Sequence, residues 1–252
     1  MLTSQRKQRI LEQLAADGQV LSKTLSETFG VSEDTIRRDL RELSAEGLLQ
    51  RVHGGALPAS AAIAPFAERK TLALDSKRAI ARRGAALIEP GQVVIIDGGT
   101  TTDALARLLP KDDSLRIITN NLLALNTLSS RDIPVTLIGG DLRRGSMSVY
   151  GSLADMALER LTFDKVFCSA DGIDAEFGVC EGSIEQAWFK EKLFRRTREV
   201  YLLATAEKLG RKSQMNWSPI HRQWTLITDA APESHAVQAF GNHPFVTVVP
   251  VA

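Results

Sequence analysis

Residues 22–43 read Ser22-Lys-Thr-Leu-Ser-Glu-Thr-Phe29-Gly30-Val31-Ser32-Glu33-Asp34-Thr35-Ile36-Arg37-Arg38-Asp39-Leu40-Arg41-Glu42-Leu43, and residues 48–57 read Leu48-Leu-Gln-Arg51-Val-His53-Gly54-Gly55-Ala56-Leu57. Ser22 is placed to cap a short helix that ends at Phe29-Gly30. Ser32 is placed to cap a second helix, with Glu33 and Asp34 at its positive end. Ile36, Leu40 and Leu43 recur at i, i+4 and i+7, so that helix has one apolar face. Thr35, Arg37, Arg38 and Arg41 fall on the other. Two short helices joined by a glycine turn, the second rich in arginine, predict a helix-turn-helix whose second helix enters a DNA groove. The segment from Leu48 to Leu57 predicts a strand, a Gly54-Gly55 turn and a returning strand, a wing that carries Arg51 and His53. The expected DNA contacts are therefore Thr35, Arg37, Arg38, Arg41, Arg51 and His53. A solvated helix face would explain each arginine singly, but not three of them on this helix.

Working outward, Ser4 to Asp17 reads as an amphipathic helix with Ile10, Leu11 and Leu14 on its stripe and Gly18 at its end. Val20-Leu21 can add a strand to the wing. After Leu57 the composition changes to Pro58-Ala-Ser-Ala-Ala-Ile-Ala-Pro65, a linker by its small, uncharged residues and prolines. The expected division is 1–57 for DNA binding, 58–65 for the linker and 66–252 for sensing and oligomerisation. A long helix is expected from Ala67 to Glu89, with Arg69, Lys70, Lys77, Arg78, Arg82 and Arg83 on a basic face that is solvated for most of them.

From Val93 onward short apolar runs alternate with helical stretches. The runs are Val93–Ile96, Leu115–Ile118, Val135–Ile138, Val166–Cys168, Val200–Leu203, Leu226–Ile227 and Phe245–Val249; the helices include Thr102–Leu109, Leu122–Leu128, Leu153–Leu161 and Ile184–Arg196. This pattern predicts an α/β fold, a doubly wound and mostly parallel sheet covered on both faces. Ligands of such sheets bind beyond the carboxyl ends of the strands. Those ends carry Asp97-Gly98-Gly99-Thr100-Thr101-Thr102, then Asn120-Asn121, then Gly139-Gly140, then Asp171 within Ser169–Asp174, then Lys208. Glycines, hydroxyls, a helix N-terminus and a lysine favour an anion, so a phosphate is expected at Gly98 to Thr102 and Lys208.

The formal net charge of +1 supplies no global basic field, so DNA affinity must come from local arginines and from pairing two copies of the module. The two cysteines, Cys168 and Cys180, lack metal-ligand spacing and read as reduced thiols, with Cys168 in the core. His53, His221, His235 and His243 are scattered, and no nucleophile–base set or metal cluster emerges. No signal peptide or membrane-spanning run is visible, so a soluble cytoplasmic protein is expected, without cofactor or metal.

Val31-Ser32, Thr35-Ile36-Arg37-Arg38-Asp39-Leu40, Gly47-Leu48 and His53-Gly54-Gly55-Ala56 resemble the DeoR family of bacterial sugar-operon regulators. The resemblance extends more loosely along the whole chain. It implies a winged helix-turn-helix repressor, operator DNA as partner, a homo-oligomer, and an effector domain similar to the sugar-phosphate isomerase fold of ribose-5-phosphate isomerase. It also implies that Arg69 and Lys77, at positive positions of the family pattern, reach the ligand or a subunit contact. The chain departs from the pattern in three places. Gly178-Val179 is followed by Cys180-Glu181-Gly182-Ser183, Gln186 precedes Ala187, and Thr205-Ala-Glu-Lys208 keeps only the lysine. Two carboxylates are missing and Glu181 is new, which predicts an altered ligand or weakened sensing, poor binding of common hexose phosphates, and a more anionic or differently oxidised sugar phosphate as ligand. The expected activity is regulatory, not enzymatic. A fused sugar-phosphate isomerase using Asp171, Asp174, Glu181 and Lys208 is one competing reading, and a DNA-binding protein whose second domain only oligomerises is the other.

Overall fold

The computed structural model describes residues 2–52, 54–58, 65–212 and 214–251. Helix α1 (Thr3–Asp17) stops at Gly18, whose φ of 71° lies in the left-handed region open to glycine. Strand β1 (Val20–Leu21) leads into α2 (Ser22–Phe29), which Gly30 ends in the same conformation. Helix α3 (Glu33–Ala45) is capped by Ser32, whose Oγ accepts the Thr35 N–H at 3.2 Å. Strands β2 (Leu49–Val52) and β3 (Gly55–Pro58) form the antiparallel wing, and β1 joins β3 at its far side. Ile10, Leu14, Leu25, Ile36, Leu40 and Leu43 are buried together at the centre. Ser22 is not the cap of α2. Leu21 holds that position, and the Ser22 N–H is taken by the Gly54 carbonyl at 2.8 Å. The wing turn thus satisfies an N-terminal helix donor, and no side-chain cap is needed. His53 and residues 59–64, the core of the expected linker, lie outside the described residues.

The long helix expected at 67–89 is two helices, α4 (Phe66–Arg69) and α5 (Leu74–Ala85), separated by a turn in which Ala73 has φ 49°. Lys77 is the cause visible in the structure. It is buried rather than solvated, and its ammonium donates to the Arg69 and Leu72 carbonyls, groups that a continuous helix would have paired internally.

The chain then forms β4 (Val93–Ile96), α6 (Thr100–Ala106), β5 (Arg116–Thr119), α7 (Leu122–Ser129) and β6 (Val135–Leu137). A hairpin follows, β7 (Asp141–Arg143) with β8 (Ser148–Tyr150), and then α8 (Ser152–Leu158) and β9 (Phe163–Cys168). Next come β10 (Gly172–Asp174), β11 (Gly178–Glu181), α9 (Ile184–Arg196), β12 (Thr197–Leu203) and β13 (Asn216–Ser218). The last elements are β14 (Trp224–Thr228), α10 (His235–Gly241) and β15 (Val246–Pro250). Seven of these strands make one sheet in the order β15-β14-β12-β9-β4-β5-β6, and every pairing is parallel. Strands β10, β11 and β13 form a small antiparallel sheet beside it.

Alternate residues feed two cores. Ile95, Val166, Leu202 and Leu226 face the side covered by α8, α9 and α10. Val94, Ile96, Phe167, Tyr201 and Ile227 face α5, α6 and α7. From β4 the order runs one way through β5 and β6, and from β9 the other way through β12, β14 and β15. The winding reverses between β4 and β9, so their carboxyl ends diverge into a crevice. Among the described residues no helix is long and apolar enough to cross a membrane.

Candidate functional site

Two surfaces combine chemistry with position. On α3 the apolar stripe is inside, and Arg37, Arg38 and Arg41 are exposed. Arg37 is held along its own helix by Glu33 at 3.1 Å and Asp34 at 3.6 Å. Arg38 and Arg41 make no ion pair within 4.0 Å among the described residues. Thr35 is half-buried, and its hydroxyl sits 2.9 Å from the capping Ser32 hydroxyl. Arg51 is exposed on β2. The sequence reading missed what aims this helix. Arg6 of α1 and Asp39 of α3 are both buried and form a two-pronged ion pair, one prong at 3.0 Å. The signal was present, because Arg6 lies four residues before Ile10 on the apolar stripe of α1, and Asp39 lies between Ile36 and Leu43 on that of α3.

The second surface is the crevice between β4 and β9. Asp97, at the end of β4, is fully buried and paired with the Lys190 ammonium from α9. Lys190 also lies 3.3 Å from Glu181 Oε1, at the end of β11. Burial alone would push Lys190 down, but the charges of Asp97 and Glu181 carry it well above the ordinary lysine value. Burial raises Glu181 to about 8, against the pull of Lys190.

Around this triad the glycines let polar side chains approach the backbone closely. A Cβ at Gly98 would stand 2.4 Å from Ser148 Oγ and 2.8 Å from Tyr150 Oη, and one at Gly182 would stand 3.0 Å from Arg143 Nη2. On the other flank, Lys208 donates to the Ala170 carbonyl at 2.7 Å and lies 3.4 Å from Ser169 Oγ, the side chain that abuts Gly99. Burial lowers the Lys208 ammonium to about 8. Arg69 lies 3.6 Å from Asp171 and donates to the Gly145 carbonyl at 2.6 Å.

Of the residues expected here, the contacts above bring together Asp97, Gly98, Gly99, Asp171 and Lys208; Thr101 and Asn120 are buried, and Thr100 lines a pocket with Lys77, Asp103 and Arg107. Two are turned to scaffolding. Thr102 Oγ1 sits 2.7 Å from the Asp97 carbonyl, and Asn121 caps α7 while its amide donates to the Gly99 carbonyl at 2.9 Å. Gly139 is exposed at the end of the edge strand β6. Lys77, for which a ligand or subunit contact was expected, is occupied by carbonyls of its own segment. Cys168 and Cys180 are both buried thiols.

Residues 73–230 match the DeoR C terminal sensor domain, and residues 6–61 match the DeoR-like helix-turn-helix domain. The chain belongs to the DeoR family. It is a transcriptional regulator of the helix-turn-helix type, as its full-length relatives are. The HTH-type transcriptional regulator GlpR of Haloferax volcanii is 37% identical over 232 residues, covering 91% of each chain. The glycerol-3-phosphate regulon repressor of Escherichia coli is 34% identical over 245 residues, 96% of this chain and 97% of that one. Among solved structures, a D-ribose-5-phosphate isomerase in complex with phospho-erythronic acid matches 52% of each chain with 16% identity and a TM-score of 0.39. The chain thus spans about half the length of that enzyme.

Proposed function

We propose that this DeoR-family chain represses a carbohydrate-catabolism operon and releases it when a phosphorylated sugar or related metabolite binds the crevice. Residues 1–57 carry the DNA contacts, 58–65 link, and 66–252 sense and hold copies together. The contacts are Thr35, Arg37, Arg38 and Arg41 on α3 and Arg51 and His53 on the wing. Double-stranded operator DNA is the first partner, a second copy of the chain the next. The observation that carries the reading is the union, in one chain, of an arginine-faced α3 with a crevice at the reversal point of the sheet.

In that crevice the phosphate sits at Gly98 to Thr102, where the first N–H groups of α6 have no partner within the helix. Lys208 stands on the same side, beside Ser169 and Gly99. Asp97, Asn120 and Asp171 line the remainder, while Asn121, Thr102 and Gly139 shape the backbone around it. The protein is not an enzyme on this reading. Asp97 is committed to Lys190 in a buried ion pair.

Selection of bound DNA sequences, followed by a metabolite screen for release, tests the proposal. Phosphorylated compounds should lower operator affinity. Thr100→Glu, which fixes a negative charge where the phosphate sits, should abolish that response and leave operator binding intact. Release by neutral sugars alone would overturn the phosphate assignment. Turnover of pentose or hexose phosphates would overturn the non-enzymatic one.

A further inference from the structure

The crevice has two unlike ends. Near Lys208 and Gly99 it offers donors. Near α9 it offers acceptors: Asp97 Oδ1, Asn120 Oδ1, Glu181 Oε1 and Gln186 Oε1 are all buried without a hydrogen-bond partner among the described residues. The Glu181 oxygen lies 3.3 Å from Lys190, close enough for charge attraction but without an aligned hydrogen bond. Asp97, Glu181 and Gln186 stand in one wall, and the Asn120 amide joins it by donating to the carbonyl of Val149, next to Tyr150, at 3.3 Å. Lys190 joins Asp97 to Glu181. The Gln186 amide lies 3.5 Å from Tyr150 Oη, the atom against Gly98. A Cβ at Gly182 would be 3.5 Å from Gln186 Oε1 and 3.4 Å from Asp171 Oδ2. Buried acceptors left unpaired are costly, and four in one wall call for a partner that donates.

We propose that Glu181, with Gln186 beside it, selects the end of the ligand opposite the phosphate, and that it selects an uncharged hydroxyl-bearing end over a carboxylate. This rests on the phosphate-binding reading above and narrows it to polyol or sugar phosphates, excluding the sugar-acid phosphates that the missing carboxylates at Gln186 and Thr205 suggested from sequence. The chemistry is one of donors and charge. An alcohol donates to an ionised carboxylate and accepts from a protonated one, so it suits Glu181 in either state. A ligand carboxylate only accepts, so it finds a donor in Glu181 only while that group is protonated; it would also add a second buried negative charge beside Asp97, with Lys190 as the shared cation, and a third once Glu181 ionises. A site built to bond a hydroxyl discriminates strongly against an analogue without it.

Two matched pairs, each differing only in CH2OH against COO−, isolate the effect: glycerol 3-phosphate against 3-phosphoglycerate, and sorbitol 6-phosphate against 6-phosphogluconate. Calorimetric titration and thermal shift on the full chain should show the alcohol of at least one pair binding about 10-fold or more tightly than its acid. Above pH 8, where Glu181 is ionised, Glu181→Gln keeps the shape and removes the charge, and should bring the two members to within about 3-fold, chiefly by improving the acid. Equal or tighter binding of the acids by the unaltered protein overturns the assignment, as does an unchanged preference in Glu181→Gln. If that variant does not fold, the preference of the unaltered protein decides. Inorganic phosphate separates the two levels. If it stabilises the protein while none of the four compounds does, the phosphate reading stands and the acceptor wall falls. If neither phosphate nor any phosphate ester binds, the phosphate reading itself fails.

Discussion

The winged unit and the crevice use cations in opposite ways. On α3, Arg38 and Arg41 stand in water, where a charge costs little and is free to meet a phosphate backbone or a base edge. In the crevice, Lys190 is enclosed with two carboxylates, and Lys208 is desolvated enough to titrate at about 8. A charge in water can be removed without harming the fold, whereas a buried one is a structural commitment. The winged unit follows the same rule at its own centre, where Arg6 and Asp39 are enclosed together.

The largest expected effect separates the two regions by stability. Lys190→Met leaves Asp97 buried without its counter-charge and should cost about 3–5 kcal/mol. Arg38→Ala, at an exposed position, should change stability by less than about 0.5 kcal/mol. Urea denaturation of both variants checks this, and a small loss for Lys190→Met would erase the contrast.

Operator affinity should rank the two regions the other way. Arg38→Ala should cost about 1–3 kcal/mol per half-site if Arg38 reads a base. If it contacts phosphate instead, affinity falls for every sequence and the dependence on salt becomes shallower. Fluorescence anisotropy over a salt series distinguishes the two, and unchanged affinity would remove α3 from the interface.

The crevice should respond to pH where the winged unit does not. The folded-state value of Lys208, about 8, lies below the ordinary 10.5. The folded protein therefore loses this proton first. Between about 8 and 10.5 the unfolded chain binds more protons, and the Lys208 contribution to stability rises with pH across that window. Glu181 has the opposite sign. It is held protonated up to about 8 against an ordinary 4.5, so its contribution falls as pH rises between those values. A phosphate needs Lys208 charged, so ligand affinity should decline above pH 8, and Lys208→Met should bind weakly with that decline flattened. Titrations from pH 6.5 to 9.5 provide the check, using buffers chosen about these values.

The smallest effect sharpens the picture within α3. Arg37 is already held by Glu33 and Asp34. Arg37→Ala should cost about 0.2–0.5 kcal/mol per lost pair in helix stability. It should weaken operator binding less than Arg38→Ala does in the same anisotropy assay.

What the sequence disclosed depends on how local the physics is. Ser32, Gly18 and Gly30 act on their own helices, so the ends of α1, α2 and α3 could be read directly. The parallel sheet was legible because its strands are continuous apolar runs. The small strands β7, β8, β10, β11 and β13, only three or four residues each, owe their existence to partners far along the chain, and no periodicity announced them. Helix α10 was missed as well. In the crevice, the strand-end glycines and Lys208 were visible as a series. Lys190 was not, although it shares the buried face of α9 with Phe194 four residues on, because a lysine in isolation reads as solvent-facing. Lys77 was expected at a ligand or subunit contact from the family pattern, which does not reveal that carbonyls of its own segment take it.

The triad at the crevice also bears on how such a chain can change over generations. Asp97 and Lys190 neutralise each other whatever stands at residue 181, and a newcomer there can enter protonated, adding no net charge to the interior. Position 181 is thus a place where ligand preference can be rewritten in a single substitution without first dismantling the fold. Positions 97 and 190 are locked together, since either change alone strands a charge and must await its complement.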